Sequence, residues 1–442
     1  MSNPSNVLFR LWRATRQSIA FYPVLISIGY VLVAAAAIAL DSSALADRLR
    51  AVVPSGLTSV ENARSILSTL VTGVVSLVVF SFSMVMVVLN GAAARLTPRV
   101  LPRLISDTRN RIILGIYLGT ILYLLMLMSL LDKARPTQVP ILGVLLSLVF
   151  GMACMALFVV FIRSISQSIQ VDWVVSDLYR GAHGSLDRLQ HRLKAYQATP
   201  DDSHWFCLDT RQAGYLRNVN ERQLSKLLCG RDLIARLQVE PGFFLHRGHP
   251  LIRLSAPLSQ EDVEEVLDCF DFHDDEMAGD QFAYGLRQIS EVAVKAISPA
   301  INDPGTAVRA LNLIAVILDR LAGTPPVDVG CFDQGRPRLY YRQPDMRALL
   351  RAVIAPIRTY GRHDPQVGIA VLQCLKQPLH RALTDEQLEA LWDELQALRH
   401  DLDEHLGNPW DRRAVNEQIE RIDALRRASQ PALEPLETSA GR

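Results

Sequence analysis

The chain has 442 residues, of which 49% are hydrophobic and 21% charged, and its formal net charge is +1. This near-neutral balance argues against nucleic acid as a partner, and the length allows two or three domains. The six cysteines form no CxxC pair and no compact Cys/His cluster, which argues against a structural zinc site and fits free thiols in a reducing compartment. We therefore expect no bound metal and no cofactor.

Four apolar stretches are each long enough to cross a hydrocarbon core of about 30 Å. They lie at 21–40, 65–90, 112–131 and 139–162. A cleaved signal peptide is the alternative for the first stretch, which has a basic start, but its apolar run is longer than a signal core needs. The sequence predicts a four-helix transmembrane domain over residues 1–165.

Basic residues set the predicted orientation. Arginines precede the first span at positions 10, 13 and 16, and the linker between the second and third spans carries a further group: Arg95, Arg99, Arg103, Arg109 and Arg111. Because cytoplasmic loops are rich in Lys and Arg, both termini are predicted to be cytoplasmic. Arg95, Arg99 and Arg103 are predicted to contact anionic lipid headgroups.

A stripe of small polar residues runs along the second span. At ~100° per residue its members project within an arc of roughly 60°, and they are Ser65, Thr69, Thr72, Ser76, Ser83 and Asn90. Because an unpartnered hydroxyl is costly in hydrocarbon, such a row should face protein or water. Helix packing and a water-lined path both fit, since small residues let membrane helices approach closely.

The stripe lapses near its middle. Val79 and Phe80 lie ~40° and ~60° to either side of the Ser65 direction, and they are candidates for a hydrophobic gate that closes by dewetting. Four short spans leave no room for a conduit inside one subunit, so a pore requires a ring of subunits around a shared second helix. The spans hold no mid-membrane charge, which favours a weakly selective channel over a proton-coupled transporter.

The rest of the chain reads as a soluble α+β domain that is mostly helical. Residues 166–258 contain a long connecting helix at 169–197, with a bend near Gly184, and a small α/β region. Residues 259–427 contain helices at about 259–269, 280–297, 304–322, 345–361, 365–378, 384–405 and 410–427. The Pro- and Gly-rich segment 323–338 reads as a loop or joint, and 428–442 as a disordered tail.

One segment resembles a known family. Residues Gly285–Ala307 (GLRQISEVAVKAISPAINDPGTA) resemble the bacterial inner-membrane family known as domain of unknown function 2254. The resemblance extends to Leu96–Leu101, to the pair Asp107 and Asn110, and to Ser168–Asp172, and covers roughly 10–425. It implies a four-span anchor in the bacterial inner membrane with a cytoplasmic domain, and it implies no activity.

The 285–307 segment is predicted to form a helix, a tight turn and a second helix. Asp303 can cap the second helix, with Pro304 at its first position, and Arg287 and Glu291 can pair four residues apart. A helix corner is one interpretation of the segment. The other is a ligand or subunit contact made by Arg287, Asn302 and Asp303.

No sequence pattern indicates an enzyme. The chain lacks a Walker A motif, GxSxG and HExxH. An acidic cluster at 268–276 lacks the glycine and alternating ligands of a calcium loop and reads as a solvated loop. A hydrolase using this cluster is the weakest of three hypotheses. The favoured one is a homo-oligomeric channel lined by the second span, and the alternative is a non-conducting scaffold or sensor whose cytoplasmic domain binds a partner.

Overall fold

The structure is a computed structural model, and it divides into two compact units. One comprises Met1–Ala94 and Val100–Gln170, and the other Arg95–Arg99 and Val171–Arg442. The residues that the structure describes are 21–41, 59–95, 108–133, 139–168, 170–193, 201–239, 244–273, 282–322, 329–333, 336–341, 345–381 and 383–437.

The first unit contains the four predicted membrane helices. They are α1 (Phe21–Leu40), α2 (Val60–Arg95), α3 (Thr108–Lys133) and α4 (Ile141–Ser168). Each is long and apolar enough to cross a bilayer, since 20 residues at about 1.5 Å per residue span the hydrocarbon core. The four predicted spans are therefore helices in the structure, with α2 extending beyond both ends of its predicted span.

The third helix is the centre of this unit. In its most apolar window 44% of the residues are buried, against 17% for α1 and for α2. Tyr123 of α3 is fully buried and donates a 3.0 Å hydrogen bond to the Gly143 carbonyl of α4. A Cβ added at Gly119 would lie 2.6 Å from the Tyr30 ring of α1. Close approach at such a glycine is how membrane helices gain packing contacts without a hydrophobic driving force.

The second unit opens with helix α5 (Val171–Leu193), which is continuous through Gly184; the bend near Gly184 stays a prediction. Two small sheets follow. Their strands are β1 (Phe206–Asp209), β2 (Gly214–Val219), β3 (Ala235–Leu237), β4 (Phe244–Leu245), β5 (Pro250–Leu254), β6 (Phe270–His273), β7 (Val329–Asp333) and β8 (Arg336–Tyr341). Helices α6 (Glu221–Gly230) and α7 (Gln260–Leu267) lie between them in sequence. The strand orders are β1-β5-β3-β8-β7 and β4-β2-β6.

The segment 323–338 was expected to be a loop or joint, but its described residues, 329–333 and 336–338, form strand β7 and the start of β8. β8 pairs in parallel with β3, with Ala235 opposite Leu339 and Leu237 opposite Tyr341. The expectation of a loop rested on the prolines and glycines of the segment. It failed because β3, about 100 residues earlier in the chain, provides backbone hydrogen-bond partners for β8. This sheet also links the predicted regions 166–258 and 259–427, since β3 lies in the first and β8 in the second.

Six longer helices complete the second unit. They are α8 (Phe282–Ala296), α9 (Pro304–Leu321), α10 (Met346–Gly361), α11 (Pro365–Leu379), α12 (Asp385–His405) and α13 (Pro409–Asp423), all within a few residues of their predicted bounds. Helix α8 packs against α5, α9 and α10, and α11 packs against α9, α12 and α13. The predicted and observed helix bounds agree because each helix has an apolar stripe at helical spacing, and such a stripe is buried against a neighbouring element.

The tail was predicted to be disordered, but residues 428–437 are ordered and pack on the second unit. Leu433 and Leu436 are each 2% exposed. Trp392 of α12 donates its indole N–H to the Pro431 carbonyl at 2.9 Å, and the Asn416 side chain of α13 bonds the Leu436 backbone on both its N–H and C=O. Composition suggested disorder, but two leucines spaced to reach the α12 and α13 surfaces are enough to bind the segment there.

Candidate functional site

Helix α2 has two opposite faces. Its buried face carries Ala63, Leu67, Val74, Ser81 and Val88, and it packs into clusters with α3 and α4 residues such as Leu127 and Cys154. At ~100° per residue this face is centred roughly 170° from the Ser65 direction. All six members of the polar stripe, Ser65, Thr69, Thr72, Ser76, Ser83 and Asn90, are exposed. The stripe therefore points out of the four-helix unit.

Four of the five stripe hydroxyls are satisfied within their own helix. Thr69 donates to the Ser65 carbonyl at 2.8 Å, Ser76 to the Thr72 carbonyl at 2.8 Å, and Ser83 to the Val79 carbonyl at 2.9 Å. Thr72 donates likewise to the Ser68 carbonyl at 3.0 Å. The sequence argument held that the stripe must face protein or water, because an unpartnered hydroxyl is costly in lipid. Hydroxyls that donate to the carbonyl four residues earlier already have a partner, so they can also face lipid. Their oxygens retain acceptor capacity toward water or a second helix.

The two interpretations of the stripe now share one requirement. Packing against another helix of the same chain is not what the described residues show, because the buried face of α2 is the opposite one. A Cβ added at Gly73, on the edge of the stripe, would meet no atom within 4 Å. A packing partner for this face would have to come from outside the described residues, and so would the other walls of a pore.

The gate candidates share the exposed side. Val79 is 60% exposed and Phe80 53%. The Phe80 ring lies edge-on to the Phe158 ring of α4, with 5.6 Å between centroids. Phe80 is therefore supported on one side by α4 of the same chain. The basic linker cannot be placed in the same way, since Arg99 and Arg103 lie outside the described residues and nothing is described of the Arg95 side chain.

The helix corner has the predicted geometry. Asp303 caps α9 and accepts from the Thr306 N–H at 3.1 Å and from the Thr306 hydroxyl at 2.7 Å, and Pro304 begins the helix. The preceding residue, Asn302, has a φ of +50°, which Asn tolerates better than most residues. Both carboxylate oxygens of Asp303 are thus used locally. Arg287 and Glu291 lie half-buried on α8, and their predicted pairing stays a prediction.

Sequence reasoning missed two arginines that hold α9 against α5. Arg320 donates to the Asp187 carboxylate at 2.5 Å and to the Gln190 side-chain oxygen at 2.7 Å, and its guanidinium lies 2.6 Å from His183 Nε2. The hydrogen bond from Arg320 lowers the pKa of Asp187 below its usual value. Eleven residues earlier in α9, Arg309 contacts Asp172 and Ser176. No local signal could have revealed these pairs, because at least 130 residues separate the partners.

The acidic cluster at 268–276 is only partly a loop. Asp268 ends α7, and Asp271 lies in strand β6, so the solvated-loop expectation fails for the strand residues; 274–276 lie outside the described residues. Among the residues that the structure describes, no group of three or more His, Cys, Asp or Glu side chains is placed to hold a metal ion.

The family model described as "Predicted membrane protein (DUF2254)" matches residues 16–377. The chain belongs to this family. The match covers all four membrane helices, the two sheets and the helix corner, and it ends within α11. The family relationship supplies a membrane location and leaves the activity open.

The chain is also similar to two mycobacterial proteins, "Uncharacterized protein Rv1290c" of Mycobacterium tuberculosis and "Uncharacterized protein Mb1321c" of Mycobacterium bovis. Each is 24% identical over 330 residues, which is 71% of this chain. The matched region spans 63% of the length of each relative, so these relatives contain further sequence. No solved structure matches the chain.

Proposed function

We propose that this protein is a homo-oligomeric, channel-like protein of the bacterial inner membrane, with α2 of each subunit facing a shared axis. The observation that carries the proposal is the outward direction of the polar stripe. Helix α2 buries one face against its own subunit and presents a row of small hydroxyl residues on the other. Such a face can contact a second helix or water. In a ring, that face would meet neighbouring subunits and water.

The pore would be weakly selective. Hydroxyl oxygens with free acceptor capacity can solvate cations or hold water, and the exposed residues of α2 carry no charge between Ser65 and Asn90. Val79 and Phe80 would form a narrow apolar section, and a pore without polar lining loses its water there. The soluble unit would lie in the cytoplasm with both termini, where it could assemble the ring, and the Arg-rich linker would contact anionic headgroups. The proposal includes no catalytic step.

Ion flux into liposomes containing the purified protein tests the pore. Val79→Ser and Phe80→Ser should raise flux severalfold, because a polar constriction wets more easily, and Thr72→Val and Ser76→Ala should lower it. Val159→Ser is the matched control, since Val159 is 69% exposed on α4, away from the stripe, and it should leave flux unchanged. Background flux in both constriction variants would contradict the pore.

The second candidate function is a non-conducting membrane-anchored scaffold or sensor. The local satisfaction of four stripe hydroxyls supports it, because these four can lie against lipid without an unmet donor. In that case the constriction variants would leave flux at background, and the soluble unit would carry the function by binding a partner.

A further inference from the structure

The helical part of the second unit contains an open cleft with a volume of about 430 Å³ between α9, α11 and α13. Its lining repeats at helical spacing. α9 contributes positions 312, 315, 316 and 319, α11 contributes 373, 374, 376 and 377, and α13 contributes 418 and 421. Residues three and four apart share one helix face, so three helices each turn a single face toward the same space. Its size falls in the range of small-molecule sites.

The cleft is lined mainly by polar side chains that have no partner. Four carboxamides and two cations line it: Asn312, Gln373, Gln377, Gln418, Lys376 and Arg421. Within the part of the chain that the structure describes, none of these six side chains has a hydrogen bond or an ion pair to another residue. Other arginines nearby are paired: Arg381 with Asp319, and Arg412 with Asp403. Asn312, Gln373, Gln377 and Arg421 are exposed to solvent, and Lys376 and Gln418 are half-buried, so their donors and acceptors are open to a ligand from solution.

The charge of the cleft is positive. Its one carboxylate, Asp319, is bound on both oxygens by Arg381, at 2.9 and 2.6 Å, and this hydrogen bonding lowers the pKa of Asp319. The Arg381 guanidinium therefore neutralises it. Lys376 and Arg421, which lie on different helices, remain to attract an anion. Lysine and arginine are the usual partners of phosphate oxygens.

The other residues that line the cleft indicate which kind of anion would bind. Ala315 is buried, and Val316, which is 42% exposed, offers an apolar surface beside it. Side-chain amides present a donor and an acceptor together, which matches the edges of nucleobases. A docked partner helix would need a continuous apolar strip, and here the apolar surface is limited to these α9 residues and the buried Cys374.

We infer that the α9–α11–α13 cleft is a binding site for a nucleoside phosphate, with Lys376 and Arg421 on the phosphate and the carboxamides on the base and sugar. The site lies in the soluble unit and does not depend on conduction by α2. It would give either a channel or a scaffold a means of sensing a cytoplasmic small molecule.

Isothermal titration calorimetry on the full-length, detergent-solubilised protein tests the site. The probes are AMP, GMP, CMP, UMP and ATP, with adenosine and inorganic phosphate as separate arms. At least one nucleotide should bind with a Kd below about 100 µM, and adenosine and phosphate should each bind at least about tenfold more weakly than that nucleotide. Absence of nucleotide binding below about 1 mM, or phosphate binding as tightly as the nucleotides, would overturn the assignment.

Charge variants locate the binding. Lys376→Glu with Arg421→Glu should weaken nucleotide binding by at least about tenfold. The control pair Lys226→Glu with Arg413→Glu makes the same charge change at residues that do not line the cleft, and should leave affinity unchanged. Gel filtration and thermal melting check folding. If the reversal pair misfolds, Lys376→Gln with Arg421→Gln removes the charges at similar side-chain length and should give a smaller loss. Equal affinity in the folded cleft variants and the control pair would place any binding elsewhere and defeat the proposal.

Discussion

Gly285 of α8 and Ala182 of α5 lie in such close contact that a Cβ added at residue 285 would be 2.9 Å from the Ala182 Cβ. The glycine therefore sets the distance between α8 and α5. It also stands at the start of the family-matching segment 285–307, so the packing of that segment on α5 has a steric explanation.

Enlarging Gly285 should open this contact. Gly285→Val should lower the free energy of unfolding by about 1–3 kcal/mol, because overpacking forces backbone or side chains apart. Gly184→Ala is the control on the same helix as Ala182. A Cβ there meets only the far end of Arg188 at 4.0 Å, so it should be neutral or stabilising by up to about 1 kcal/mol. Thermal and denaturant unfolding of both variants measures the difference, and equal stability would contradict the packing.

The Arg320 contacts should matter more than those of Arg309. Arg320 is 26% exposed and contacts three side chains of α5, whereas Arg309 is 48% exposed. Arg320→Met should destabilise the second unit by about 1–3 kcal/mol, since a charged donor in a part-buried network is lost. Arg309→Met should cost less than about 1 kcal/mol, as expected of a surface ion pair. The order is read from the melting temperatures of the two variants, and a reversed order would show that the α5–α9 contact rests on other residues.

The tail contact should be measurable by truncation. A chain ending at Arg427 loses Leu433 and Leu436 and leaves the Trp392 indole N–H and the Asn416 amide without their partners, so its melting temperature should fall by several degrees. A chain ending at Glu437 keeps all these contacts and serves as the control, with an unchanged melting temperature. Equal melting of the two truncated chains and the full chain would mean that residues 428–437 do not hold to α12 and α13.

Cross-linking should reveal whether the stripe contacts another copy. In membranes, Gly73→Cys or Ser76→Cys should form intermolecular disulfides on mild oxidation, because both positions lie on the open face of α2. Val159→Cys, which is also exposed but on α4, is the control and should cross-link less. Cross-linking at residue 159 as strong as at 73 and 76 would place the contact between copies elsewhere.

Membrane orientation can be tested with an impermeant thiol reagent. Arg50→Cys and Arg135→Cys should be labelled from outside the cell, and Ser106→Cys and Ala300→Cys should not, because the Arg-rich ends and linker are predicted to be cytoplasmic. The unmodified chain is the background control. Labelling at residue 106 in intact cells would contradict the proposed cytoplasmic position of the linker between α2 and α3.

The sequence by itself determined the four membrane helices, the positions of the later helices and the Asp303 cap. Each depends on local information: an apolar run of sufficient length, a stripe at helical spacing, or a capping residue followed by proline. It also located the polar stripe, since angular position on a helix follows directly from residue spacing.

The tertiary structure decided which way that stripe points. Sequence spacing fixes the angle between two faces of α2, but only the packing of Leu67 and Val74 against the other helices shows that the stripe lies outside. The pairing of β8 with β3, the Arg320 contacts and the α9–α11–α13 cleft arise in the same way. Each joins residues far apart in the chain, and chain folding brings such residues together without leaving a local pattern in the sequence.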